Sequence, residues 1–532
     1  MGVTMPEITE NFRSETQPNG IEYLRACAEA QIEKERQTYA PDDNKCESKA
    51  QENAGPDELQ FSSKKIIKAL YRNQVGDAEL FRELNRGQFI FDHAAGQWYR
   101  WAGHFWQPDR TEFVVGAIQG VCQVYETELQ RVSWQLNKGQ DKKKLEDLEK
   151  VLRRRLTDLQ GMSRIKDVLA LARAGADGLA TDGEQWDTDP MIIACQNAVV
   201  DLTTGQSTAG QPDNFIKTVC PIKWKGLECP GPIWERFLEQ IFDGNQELIS
   251  FIQRLFGYFI TGKCSEEIFP VFIGSGRNGK TKLIEALKGT IGDYSGTMEV
   301  ESLIEQKGRS SPGGARADKM SLRGKRFMVA AESEDGHRLN TSTIKHLTGG
   351  DSITARAPYG RYQVEFLPTH KMVLLSNFEP RINNNDSAIW ARVLKIPFSM
   401  KFVDEPKAEN ERQIDRALSE KLKTEYPAIL AWCVRGCLEW QKNGLKPPKI
   451  VKMATDAYRV KNDMLADFLQ TCCQEKGEIQ AKIIFDAYSA YCEESGLNPL
   501  SMNKFTEQMA VRFDKYTKNK KKFYIGISLL GG

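Results

Sequence analysis

The feature that most restricts this chain is an octapeptide: Gly274, Ser275, Gly276, Arg277, Asn278, Gly279, Lys280 and Thr281. Ahead of it, Phe269-Pro-Val-Phe-Ile273 is a short apolar run that suits a strand buried on both faces. Behind it, Lys282-Leu-Ile-Glu-Ala-Leu-Lys288 has its apolar residues at helical spacing. Strand, G-x-x-x-x-G-K-[ST] and helix, in that order, make a loop that cradles phosphates. Glycines let backbone N–H groups wrap an anion without Cβ clashes, and the helix N-terminus adds positive potential. Lys280 is expected to reach the β- and γ-phosphates, and the Thr281 hydroxyl to ligate Mg²⁺. ATP and Mg²⁺ are the expected ligands.

Such a loop needs carboxylates on a neighbouring strand. Arg326-Phe-Met-Val-Ala-Ala331 reads as a strand, and Glu332-Ser-Glu334-Asp335 sits at its end. One acid would hold the Mg²⁺ shell and another would polarise the attacking water. Glu332 is assigned to the metal and Glu334 to the water, with the two roles open to exchange. A third strand, Lys371-Met-Val-Leu-Leu375, ends in Ser376-Asn377, where an amide beside the γ-phosphate can sense hydrolysis. Arg392, in Ala388-Ile-Trp-Ala-Arg392, is a candidate to reach the phosphate of an adjacent subunit.

The 532 residues suggest about three or four structural units. Residues 1–60 are polar and read as a flexible tail. Residues 61–231 begin with aromatic clusters, Phe89-Ile-Phe-Asp-His and Trp98-Tyr-Arg-Trp101, that suggest paired strands. A charged helical run follows from about Val114 to Ala174, and the whole reads as an α+β unit. Residues 232–400 alternate helix and strand, 401–459 read as a helical linker or lid, and 460–532 form a small terminal unit. Its helices followed by a hairpin suggest a winged helix. Lys504, Lys518 and Lys520, with interleaved aromatics, suit forked or duplex DNA.

Composition excludes little. Lys plus Arg number 73 against 72 acids, yet a local stripe of charge is enough to grip phosphates. There is no apolar run of membrane-spanning length and no secretory signal. The 12 Cys lack CxxC spacing, so reduced thiols of a cytoplasmic protein are expected rather than a zinc site.

In order and spacing, the phosphate loop, the acidic strand end, Leu374-Leu-Ser-Asn377 and Ala388-Ile-Trp-Ala-Arg392 resemble superfamily 3 helicases. The resemblance is to the helicase part of phage and plasmid primase-helicases, which poxviruses share. It extends to Ile344-Lys-His-Leu-Thr-Gly-Gly-Asp351, Ile353-Thr-Ala-Arg356 and Phe366-Leu-Pro-Thr, and roughly to residues 85–530. It implies an α/β, AAA+-like P-loop ATPase core with an N-terminal α+β domain and a C-terminal winged-helix domain. It implies a hexamer with ATP sites between subunits, Asn377 as sensor, Arg392 as arginine finger and single-stranded DNA in the channel. The family's DNA-touching hairpin maps to Lys345 through Phe366, with Lys345, Arg356, Tyr359 and Arg361 as the candidate grip. Basic side chains bind phosphates without reading sequence, and an aromatic can stack on any base. Relatives often carry a primase domain ahead of the helicase. The first 85 residues here are too short and polar for one, so no primer synthesis is expected of them.

The expectation is therefore an ATP-driven hexameric DNA helicase for phage, prophage or plasmid replication in a bacterial cytoplasm. It would move along single-stranded DNA at a fork, 3′ to 5′ by resemblance, with a separate primase or replication protein as a possible partner. An ATP-regulated origin-binding initiator, and a P-loop switch outside replication, are the competing readings.

Overall fold

The computed structural model describes residues 61–138, 142–305, 317–332, 337–355, 363–382, 386–494 and 499–530. The chain divides into two units, Met1–Ser62 and Ser63–Gly532, and everything below concerns the second.

Helices α1 (Ser63–Tyr71) and α2 (Gln74–Asn85) precede a sheet built from the aromatic clusters. Strands β1 (Phe89–Asp92), β2 (Gln97–Trp101) and β3 (Trp106–Pro108) form an antiparallel meander. The chain then runs through α3 (Phe113–Gly116), α4 (Gln119–Asn137), α5 (Lys142–Asp158) and α6 (Met162–Ala172). It returns to β1 in parallel as β4 (Ala180–Thr181). One fully buried carboxylate ties the helices together. Asp77 accepts from Arg155 at 2.6 Å, from Arg164 at 2.6 Å and from the Tyr125 hydroxyl at 2.7 Å. Two guanidiniums around one carboxylate meet its hydrogen-bonding capacity, the condition under which a buried charge is tolerated.

Strands β5 (Ile192–Ala194), β6 (Val199–Asp201) and β7 (Ser207–Thr208) make a second small sheet. They lead to α7 (Pro232–Ile241) and α8 (Gln246–Phe259), which bury Trp234, Phe237, Phe251 and Phe256. A five-stranded sheet follows, with its helices inserted between the strands. Its elements in chain order are β8 (Phe269–Ile273), α9 (Lys280–Ile291), β9 (Ser295–Thr297), α10 (Ala317–Met320) and β10 (Phe327–Glu332), then α11 (Thr341–Thr348). Strands β11 (Ile353–Ala355) and β12 (Val364–Phe366) pair apart as an antiparallel excursion. Then come β13 (Lys371–Ser376), α12 (Ser387–Trp390) and β14 (Val393–Pro397). All five strands of the main sheet are parallel, in the order β14-β8-β13-β10-β9. The fold is mixed α/β. Its central strands are apolar on both faces because helices cover both sides. The core residues beneath the sheet run from Met191 to Val451 without a break at residue 231. The change of sequence pattern there is a change of element type rather than a gap in packing.

Residues 401–417, read as helical from sequence, begin instead with a strand pair, β15 (Lys401–Val403) and β16 (Glu411–Gln413). Asp404-Glu-Pro406 between them cannot sustain a helix, because proline lacks a donor and clashes with the preceding turn. Helices α13 (Leu418–Thr424), α14 (Tyr426–Asn443) and α15 (Lys449–Lys461) follow. Helix α14 crosses α8 at two glycines. A Cβ on Gly436 would overlap the Gln253 carbonyl, and one on Gly257 would overlap the Cys437 backbone. Gly436→Ala is therefore expected to force the helices apart and to destabilise the core by about 1–3 kcal/mol. Denaturant unfolding of the full chain measures it, and an unchanged midpoint would argue against so close a crossing.

The last unit has a core of its own, from Leu465 to Ile527. It contains α16 (Met464–Cys472), β17 (Cys473–Gln474), β18 (Glu478–Gln480), α17 (Ala481–Glu494) and α18 (Met502–Arg512). Strands β19 (Lys515–Lys518) and β20 (Lys521–Ile525) form a hairpin, and β20 also pairs with β18. A final strand, β21 (Ser528–Leu529), pairs with β17.

Candidate functional site

The parallel register sets the site. Ile273 of β8 lies beside Ser376 of β13, and Ser376 beside Glu332 of β10. Three strand ends thus open in one row. The first continues into the phosphate loop, the second into Asn377 and the third ends in Glu332. Strands lie about 4.8 Å apart, so one intervening strand leaves roughly 10 Å between the loop strand and Glu332. That gap is wide enough for a phosphate chain and an attacking water.

The loop is braced from within. Asn278 is buried, and its amide donates to the Ser275 carbonyl at 3.2 Å. A Cβ on Gly274 would overlap that amide and the Phe398 carbonyl. Gly279 has φ 84°, where side chains are strained, and a Cβ there would overlap Ile241 of α7. Arg277 is left-handed at φ 60°, and its carbonyl accepts from the Phe402 N–H at 2.7 Å. Ser275, Gly276 and Arg277 are exposed, as is Thr281 in the first turn of α9.

Lys280 is buried, and its ammonium donates to the Gly274 carbonyl and, at 3.2 Å, to the Asn377 side-chain oxygen. The fold thus joins two residues picked from separate motifs. Burial pushes Lys280 down to about 8. A polyanion in the loop would stabilise its charged form and raise that value. Below pH 8 the free protein already carries the proton. Above it, binding must take one up, so nucleotide affinity is expected to be flat below pH 8 and to fall by up to tenfold per unit above it. Titration of a fluorescent ATP analogue between pH 7 and pH 9 tests this, and a flat profile would count against it.

An exposed threonine, and a glutamate ending β10 two places along the sheet from the loop strand, are residue types that supply hard oxygen donors of the kind Mg²⁺ takes. Thr281 and Glu332 would hold it, and it would neutralise charge on the phosphates. Glu334 lies outside the described residues, as do Arg356, Tyr359 and Arg361.

Arg392 stands at the opposite end of the sheet from Lys280. Its carbonyl accepts from Phe269, the first residue of β8, at 2.7 Å. The loop lies past the other end of that strand, about 13 Å on at roughly 3.3 Å per residue. Its guanidinium pairs with Glu267 and donates to the Ala388 carbonyl at 3.0 Å. Sequence reading missed Glu267, because no motif marks it.

Lys345, a candidate for DNA, pairs with Asp386 at 2.7 Å, while Asp386 also caps α12 through the Ala388 and Ile389 N–H groups. In the terminal unit, Lys504, Lys518 and Lys520 are exposed, without ion-pair partners among the described residues. The aromatics beside them are used internally. Tyr516 stacks on Phe523 at 5.5 Å and donates to Glu478 at 2.6 Å. Among the described residues, no helix is long and apolar enough to cross a membrane.

Three family models match in chain order. One described as "D5 N terminal like" covers residues 78–243, a family of unknown function covers 272–392, and "Poxvirus D5 protein-like" covers 460–526. The chain is thus similar to D5-like proteins over its residues 78–243 and 460–526. A protein of Acanthamoeba polyphaga mimivirus named "Putative helicase L207/L206" is 33% identical over 297 residues, covering 53% of this chain and 30% of the relative. "Putative helicase 022R" of Frog virus 3 is 26% identical, over 56% of this chain and 31% of its own length. "Putative helicase 184R" of Invertebrate iridescent virus 6 is 26% identical, over 61% and 35%. The chain thus spans about a third of the length of these relatives. A solved C-terminal region of NrS-1 superposes with a TM-score of 0.34 at 11% identity, covering 64% of this chain and 100% of that one. The D5-like matches coincide with the aromatic sheet and its helices at one end and with the helix-and-hairpin unit at the other.

Proposed function

We propose that this chain is an ATP-hydrolysing DNA helicase motor, working as a ring together with a separate primase or replication protein on a virus, phage or plasmid replicon. The observation that carries the reading is the hydrogen bond between Lys280 and Asn377, made at a row of strand ends that also includes Glu332. The sheet order supports an AAA+-like core, since β13, bearing the amide, runs between the phosphate-loop strand and the acidic strand. Lys280 would neutralise the terminal phosphates. Asn377 would hold the γ-phosphoryl and orient water, and an acid of the Glu332 to Glu334 segment would accept the water's proton. Thr281 and Glu332 would hold Mg²⁺, which would neutralise charge on the phosphates.

Residues 61–231 are proposed as an N-terminal α+β domain, 232–400 as the motor, 401–459 as a linker and 460–532 as a winged-helix-like domain. Helices α16, α17 and α18 followed by the β19–β20 hairpin support the last of these. Six subunits, single-stranded DNA in the channel, 3′ to 5′ movement and a DNA grip by Lys345, Arg356, Tyr359 and Arg361 belong to the same proposal. So do fork contacts by Lys504, Lys518 and Lys520. The replicon of a bacterial cytoplasm expected from sequence is retained as one setting. The viral relatives favour a second, a large eukaryotic DNA virus.

A fork-unwinding assay with Mg·ATP tests the reading, with Lys280→Ala as the inactive control. Displacement of one strand by the wild-type chain alone supports a motor. Binding and hydrolysis without displacement would favour an origin-binding initiator. DNA-independent hydrolysis without affinity for single strands would favour a switch.

A further inference from the structure

A cleft of about 550 Å³ opens where the N-terminal strands meet the motor, within the size range of small-ligand sites. It shares Lys217, Thr218, Arg323 and Gly324 with an adjoining hollow, so the two form one groove. Cationic and apolar side chains both line the groove. In the hollow, Arg110, Lys217, Arg323 and Lys325 converge, against the single carboxylate of Asp293. The cleft is also lined by Phe366 and Leu367, and by Trp186, whose ring lies 5.1 Å from the Lys217 ammonium. Leu367 directly follows β12 and is 70% exposed.

Of the carboxylates near the groove, Asp187, Glu184 and Asp92 are engaged, while Glu365, exposed beside Phe366, accepts from the Ser352 hydroxyl. Asp187 accepts from the Lys217 and Thr218 N–H groups at 3.0 and 3.2 Å and from the Thr218 hydroxyl at 2.7 Å. Glu184, largely in solvent, pairs with the partly exposed Arg323 at 3.2 Å, and an ion pair with so exposed a partner is worth little. Asp92 lies 3.6 Å from the Lys217 ammonium but also accepts from Trp186 at 2.8 Å. Arg110 is exposed, and its side chain has no partner among the described residues. Burial lowers both Lys217 and Lys325 from the ordinary lysine value, and the nearby acids only partly offset it. Cations held short of compensating charge suit an arriving anion.

We propose that this groove holds single-stranded DNA, its phosphates among Arg110, Lys217, Arg323 and Lys325 and a base against Phe366 and Leu367. The inference rests on the helicase reading and extends it to a second grip, beside the β11–β12 pair. Cationic and apolar side chains in one groove match the alternation of phosphate and base along a strand. A free nucleotide has the same chemistry, so the test separates the two.

The full chain is titrated with fluorescent oligo(dT) at several salt concentrations, with and without a non-hydrolysable ATP analogue. Losing two phosphate contacts in R110E/R323E is expected to weaken binding about tenfold or more and to lower the salt slope by about 1.4. Binding of a fluorescent ATP analogue and the melting temperature should not move. R110E alone, at an exposed position, should give about half of the slope change and guards against misfolding of the double variant. Unchanged affinity and slope in both variants would overturn the groove while leaving the motor reading intact. A wild-type chain that binds no oligonucleotide would overturn both. Calorimetry with dTMP, with the ATP site saturated, identifies the other source. Binding of dTMP that R110E/R323E abolishes, with oligo(dT) binding unchanged, would make the groove a mononucleotide pocket and overturn the proposal.

Discussion

Arg392→Ala is expected to cut ATP turnover about 10³-fold or more while leaving nucleotide affinity within a few-fold of wild type. Arg392 sits at the start of β14, beside the first residue of β8, whereas Lys280 follows the loop beyond that strand's last residue. An arginine side chain does not span that strand and loop to its own site. In the proposed ring it would serve a neighbour's. Its guanidinium is held by Glu267, whose side chain is 51% exposed while that of Arg392 is 19% exposed. The pair therefore lies at the surface, oriented and accessible. An arginine presented to a transferring phosphoryl group stabilises the charge spreading over its oxygens, and lysine is a poor substitute because it lacks the planar fork. Arg392→Lys should therefore stay close to Arg392→Ala. A mixing experiment is the sharpest check. Lys280→Ala and Arg392→Ala chains, each inactive, should regain activity together, because some clefts then combine an intact lysine with an intact arginine. Turnover at the wild-type rate by Arg392→Ala alone would end the shared-cleft reading.

Lys280→Ala should lower hydrolysis by about 10²–10³-fold and abolish unwinding. Its ammonium is the buried cation of the loop, and alanine leaves the Gly274 carbonyl and the Asn377 oxygen without that donor. Asn377→Ala should cost less. The double variant should cost less than the sum of the two, because residues sharing a hydrogen bond couple. Steady-state hydrolysis by all three variants gives the cycle. Strict additivity would indicate that the bond between Lys280 and Asn377 has no role in turnover. Near-normal hydrolysis by Lys280→Ala would remove the nucleotide site itself.

Much of the site was legible because its signals are local. A glycine loop between an apolar strand and a helix is recognisable from contiguous residues, and the strand from Phe327 and the strand from Lys371 emerged as apolar runs. The aromatic clusters paired as a meander for the same reason. Residues 401–417 did not read correctly, because their charge pattern suits a solvated helix and only Pro406 argues otherwise, whereas the helices expected beyond them are present. Lys345 looked like a free cation, since Asp386 lies 41 residues away in sequence.

The sequence by itself determined the phosphate loop, the type of most elements and the order in which the chemical groups occur. Those properties depend on backbone conformation and side-chain periodicity over a few residues. Only the tertiary structure decided that the acidic strand lies two places from the loop strand, that Asn377 meets Lys280, and that Glu267 holds Arg392 at the far end. It alone gathered Arg110, Lys217 and Arg323 into one groove. Strand order and long-range pairing follow from how whole elements share one buried core, and no short segment carries that information.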